Sequence, residues 1–76
     1  MTEYRLFVQS MYDRSVGFYE SYGISVFEDG VLTRIVRDVS VERIKAEELV
    51  QLFNEEHLEP EHLSQAIEDF LFDFKT

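Results

Sequence analysis

Cysteine is absent from this sequence of 76 residues. That absence excludes disulfides, thiolate nucleophiles, iron–sulfur clusters and every zinc site built on Cys ligands. Small secreted domains lean on such staples, so a reducing, cytoplasmic setting is the expectation. Apolar runs are short as well. Nothing approaches the roughly 18 apolar residues of a membrane span. Residues 1–11 are broken by Glu3, Arg5 and Gln9, which does not read as a secretion signal. No membrane partner is therefore expected. Glycine is sparse, and Gly17, Gly23 and Gly30 stand isolated. They suit turns and a bend, and leave no Gly-rich loop to cradle phosphate. Basic residues are scarce in the second half. Between Lys45 and Lys75 nine carboxylates occur and no Lys or Arg, within a net charge of −9. Direct contact with nucleic-acid phosphates needs a basic footprint and is not expected. The acidic half reads either as a solvated surface or as a face for a basic partner.

What is present is aromatic and β-branched. Seven Phe and four Tyr offer large buried areas for a chain that makes one small domain. Residues 22–40 organise the rest, because Asp29-Gly30 between two β-rich runs is a strong hairpin signal. The reading is α+β, βββαα: a three-stranded antiparallel meander with strands at about 4–12, 18–28 and 31–37. Two helices follow at about 41–54 and 60–73, packed together on one sheet face. A two-residue turn sets Glu28 opposite Val31, Val26 opposite Thr33 and Ile24 opposite Ile35. Tyr22, Ile24, Val26, Val31, Thr33 and Ile35 then face the core, while Phe27, Leu32 and Val36 face away, joined by Phe7 and Met11. Ser40 is the expected N-cap of the first helix, with Val39 and Ile44 as a hydrophobic staple. Ala46, Leu49, Val50 and Phe53 form its apolar stripe, and Asn54 is a usable left-handed cap near its end. Pro60 opens the second helix. Its stripe is Leu63, Ala66, Ile67, Phe70, Leu71 and Phe74, with Phe72 roughly opposite.

The order of short motifs also carries a resemblance. Tyr22-Gly23-Ile24, Asp38-Val39-Ser40, the Leu49 to Asn54 run, Leu58-x-Pro60-x-His62-Leu63 and Ile67-Glu68-Asp69-Phe70-Leu71 follow one another at characteristic intervals. Over about residues 20–72 the chain resembles a family of short bacterial proteins, of clostridial type, known only as a domain of unknown function. Glu59 departs from the pattern, since a Ser or Thr cap is expected before Pro60, at a local cost of about 1 kcal/mol. The resemblance implies a small bacterial protein with no assigned activity and contributes no catalytic residues.

Chemistry-bearing residues are few and scattered. His57 and His62 lie among Glu55, Glu56, Glu59 and Glu61 but lack the ordered spacing of a metal motif. His62 and Asp69 would be about 10 Å apart along a helix, too far to share an ion. The serines are dispersed, and Glu68-Asp69 diverge by about 100° on a helix, which makes no acid–base dyad. No catalytic, cofactor or metal residues are assigned. The expected role is a non-catalytic protein–protein interaction module, acting through self-association or a protein partner. The surface expected to serve it comprises Phe27, Leu32, Val36 and Phe72. Two other readings stand beside it: an acidic, phosphate-mimicking inhibitor of a nucleic-acid-binding protein, and a metal- or small-ligand-binding protein in which His57 and His62 converge.

Overall fold

The computed structural model describes residues 1–75, with side chains through Leu71. Strands β1 (Thr2–Asp13), β2 (Gly17–Glu28) and β3 (Val31–Ser40) form one antiparallel sheet in that order. Helix α1 (Arg43–Glu55) follows, and a 3-10 turn at Pro60–His62 runs straight into α2 (Leu63–Lys75). This is the βββαα arrangement that the sequence pattern implies.

Both hairpin turns follow from local chemistry. Asp29 and Gly30 hold φ of 52° and 82°, the left-handed pair that a type I′ turn demands. In the other hairpin the Ser15 amide donates to Asp13 Oδ1 at 2.7 Å, and Gly17 closes the loop at φ 81°. The β1–β2 register is unbroken from Thr2 opposite Glu28 to Asp13 opposite Gly17. Tyr4, Leu6 and Val8 therefore share a face with Val26, Ile24 and Tyr22.

The β2–β3 register departs from expectation. It starts with Glu28 opposite Val31 and Phe27 opposite Leu32, then shifts. Val26 faces Arg34 and Ile24 faces Val36, so the expected pairs with Thr33 and Ile35 do not form. Thr33 is the extra residue of a bulge, with its hydroxyl bonded to the Glu28 carboxylate at 2.9 Å. Because side chains alternate, this one-residue slip exchanges the faces beyond it. Val36 goes to the helix side and packs against the core, while Val31 is 62% exposed. Arg34 also lies on the helix side, donating to Ser64 Oγ of α2 at 2.8 Å.

A second irregularity lets β3 continue past residue 37. Ile24 pairs with Val36 and Tyr22 with Ser40, so Arg37, Asp38 and Val39 bulge opposite Gly23. Asp38 takes φ 55° and accepts the Ser21 hydroxyl at 2.5 Å. Val39 turns into the core instead of stapling to Ile44, which is exposed. Ser40 ends the strand, and its hydroxyl accepts the Glu42 amide at 3.0 Å. The N-cap position of α1 falls to Glu42, which makes no side-chain cap bond. At Gly23 any Cβ would strike the Val36 carbonyl oxygen, so glycine is required by the approach of β3.

Helices cover one face only. Tyr4, Ile24, Val26 and Val39 of the sheet meet Leu49 and Phe53 of α1 and Leu63 and Ile67 of α2 in one core. Ala46 is buried on the same stripe of α1, and Ala66, Phe70 and Leu71 pack against the core from α2. Each large apolar side chain so buried contributes roughly 1.5–3 kcal/mol. The left-handed position at the end of α1 belongs to His57, at φ 52°, not to Asn54. The Leu58 amide bonds the Phe53 carbonyl at 3.0 Å and the His57 amide bonds that of Asn54 at 3.3 Å, a Schellman closure.

Asn54 stays helical and turns its carboxamide to β1. The Tyr4 amide donates to Asn54 Oδ1 at 2.8 Å, and Asn54 Nδ2 donates to the Tyr4 carbonyl at 2.8 Å. The Tyr4 hydroxyl donates to the Leu58 carbonyl at 2.7 Å. One residue thus ties the outer edge of β1 to both ends of the interhelical corner.

Two outcomes follow from this packing. Gly23→Ala is expected to cost about 3 kcal/mol in urea unfolding, since backbone and not a flexible side chain must yield. Burial is the main cause that raises the Tyr4 pKa above its usual value near 10, with the charge of Glu28 second. The neutral phenol is thus favoured in the folded chain. That stabilisation is complete below pH 10 and is lost as pH rises through the raised value. Tyr4→Phe is expected to lose about 1 kcal/mol at neutral pH and to decline less steeply above about pH 10, read by pH-dependent denaturation.

Candidate interaction surface

The helix-free face of the sheet is built by alternation. On β1 it carries Arg5, Phe7, Gln9 and Met11; on β2 Tyr19, Ser21, Gly23, Ser25 and Phe27; on β3 Leu32, Ile35 and Arg37. The central strand is thus lined with small residues, and Ser21 and Ser25 are buried beneath the longer side chains of its neighbours. Phe7, Met11, Tyr19, Phe27 and Ile35 are half-buried without any helix over them. Leu32, directly opposite Phe27, is 47% exposed.

Two guanidinium groups lie over the rings. Arg5 Cζ stands 4.2 Å from the centre of Phe27, and Arg37 Cζ 5.3 Å from that of Phe7. Each exposed cation–π contact of this kind is worth about 0.5–1 kcal/mol. Arg5 is aimed by Glu3, whose carboxylate accepts its Nε at 2.8 Å. That hydrogen bond pulls the Glu3 carboxyl below its ordinary pKa and raises that of Arg5. The apolar centre is therefore flanked by two guanidinium groups, that of Arg37 and that of Arg5, which is paired with Glu3, in a chain whose net charge is −9.

Of the four residues expected to form a partner surface, Phe27 and Leu32 stand side by side here. Val36 does not, because the Thr33 bulge moves it to the core side. The Phe72 side chain lies outside the described residues. Ile35 joins Phe27 and Leu32 instead, opposite Ser25, where the unslipped register would have placed Arg34. The two stacking arginines escaped the sequence reading. Alternation places Arg5 on the same face of the first strand as Phe7, but nothing local shows that its guanidinium stacks on Phe27.

The two histidines are not gathered into one group of three or more ligands among the described residues. Among the described residues Glu59, Glu61 and His62 bring ligand atoms within 4.8 Å of one another, and His57 is not part of that group. All three are exposed, and His62 lies 3.8 Å from the Glu61 carboxylate. Such clusters are ordinary on an acidic surface and define no site. No helix among the described residues is long and apolar enough to cross a membrane.

A meander of three strands, backed on one side by a helical pair and open on the other, defines a small α+β domain. Within that class the chain belongs to a family of unknown function (DUF6514), whose sequence model matches residues 1–73. The match takes in the first strand, beyond the 20–72 stretch that carries the motif resemblance. No curated protein and no solved structure matches the chain.

The register makes opposite demands of neighbouring residues in β3. Leu32→Glu is expected to leave stability within about 0.5 kcal/mol, as for an exposed site. Val36→Glu places a carboxylate against the core and is expected to cost about 3 kcal/mol or more. Urea denaturation of the two variants reads the difference, and equal losses would refute the slip at Thr33.

Proposed function

We propose that this chain is a non-catalytic protein-interaction module whose contact surface is the helix-free face of its sheet. One observation supports the reading: an apolar strip of Phe7, Phe27, Leu32 and Ile35 on a face that no described element covers. An antiparallel sheet with one solvated face is ordinarily polar there. Aromatic residues, Met and Arg are the types enriched at the centres of protein interfaces. The stacked Arg37 favours a partner that presents an acidic group beside an apolar centre.

The acidic helices support the phosphate-mimic reading less. Glu47 is taken by Arg43 and Glu42 by Lys45, while Glu55 and Asp69 accept from Gln51 and Gln65. Those carboxylates are engaged within their own helical segments.

Affinity capture compared between variants tests the proposal. A partner retained by the native chain is expected to be lost with Leu32→Glu and kept with Val31→Glu, an exposed substitution near the same turn. A partner kept by both variants, or lost by both, would contradict it.

A further inference from the structure

The two outer edges of the sheet are treated differently. The β3 edge is broken by bulges at Thr33 and at Arg37–Val39 and carries Arg34, Arg37 and Asp38, all devices that prevent strand addition. The β1 edge has no bulge, and between Leu6 and Tyr12 it carries no charged residue. Its register runs without a shift through Thr2–Asp13. The bonds from Tyr4 to Asn54 show that even-numbered residues of β1 direct their amides and carbonyls away from β2. Asn54 occupies that edge at Tyr4. Among the described residues no hydrogen bond reaches the outward backbone groups of Leu6, Val8, Ser10 or Tyr12.

The free segment therefore runs from Leu6 to Tyr12, and its midpoint is Gln9. Gln9 is also the residue whose Oε1 is buried without a hydrogen-bond partner among the described residues. We infer that β1 pairs antiparallel with β1 of a second copy about a two-fold axis through Gln9, giving one continuous sheet of both chains. In this register Leu6 meets Tyr12 and Val8 meets Ser10 of the second copy, all with outward-facing backbone groups, so the ladder closes from both sides. Gln9 meets Gln9 as a non-hydrogen-bonded pair, where side chains approach most closely. Arg5 meets Asp13 of the second copy, an opposite-charge pair at each end. Shifting the axis to Val8 would set Glu3 against Asp13 and extend the ladder into Tyr4, already taken by Asn54. The two-fold axis is normal to the sheet, so both open faces lie on one side. This edge is a surface distinct from the apolar face, and the pairing stands or falls independently of what that face binds.

Because the chain has no cysteine, a single one introduced at the axis gives a clean readout. Gln9→Cys is expected to form a covalent dimer on mild oxidation, since cross-strand Cβ atoms in such a pair lie about 4.5–5.5 Å apart. Met11→Cys would sit opposite Phe7 and is expected to stay uncrosslinked under the same conditions. In the native chain, amide exchange at Leu6, Val8, Ser10 and Tyr12 is expected to slow at least about tenfold between about 20 µM and 1 mM. Ser10→Pro removes one outward donor without touching the β2 ladder and is expected to abolish that concentration dependence. Equal crosslinking at both positions, a monomer by sedimentation at about 1 mM, or protection that survives Ser10→Pro would overturn the inference. Leu32→Glu leaves this edge intact, so it separates failure of the pairing from failure of the face.

Discussion

A single carboxamide governs how this domain is put together. Asn54 presents an acceptor and a donor to the amide and carbonyl of Tyr4, as a neighbouring strand would. A helix end is thereby fastened to a sheet edge by two directional bonds, and the Tyr4 hydroxyl fixes the next corner at Leu58. Buried apolar area holds helices to sheets without specifying where they sit. Hydrogen bonds to one residue of one strand do specify it. With α1 pinned at Tyr4 and Val39 in the core at the other end of the sheet, the helix crosses the face on which Ile24 and Val26 lie. Everything exposed elsewhere, including the strip around Phe27 and the free run of β1, is what that placement leaves uncovered.

The parts legible in the sequence are those governed by one strong local rule. Asp29-Gly30 specifies its turn, and the stripes Ala46–Leu49–Phe53 and Leu63–Ile67 specify the inner faces of the helices. Alternation in the first two strands gives their faces because apolar residues there fall mainly on one parity. The third strand offers no such guidance. Val31, Leu32, Ile35 and Val36 occupy both parities, so either register buries apolar groups and the pattern is degenerate. The slip is decided by Thr33, whose hydroxyl finds the Glu28 carboxylate, and by the bulge opposite Gly23. Gly23 was the visible trace of it, readable as a bend but not as the strand it would bend. Asn54 illustrates a different limit. Its type and position near a helix end suit a cap, and nothing local says that its amide will instead meet a strand fifty residues away.

The same slip shapes the candidate surface. Without it Arg34 and then Val36 would follow Leu32 on the open face; with it Ile35 does, and Arg37 lies over Phe7. The open face thus combines apolar rings with fixed cations, on a chain otherwise strongly acidic. The contrast between the two edges belongs to the same logic. Bulges and charge blunt β3, whereas β1 is regular and, among the described residues, closed only where Asn54 touches it.

The most direct measurement is the unfolding free energy of Asn54→Leu, which keeps side-chain size and removes both bonds. A loss of about 2–3 kcal/mol is expected, since the Tyr4 amide and carbonyl are left unpaired beside the core. A loss within about 0.5 kcal/mol, the range of an ordinary surface substitution, would contradict it.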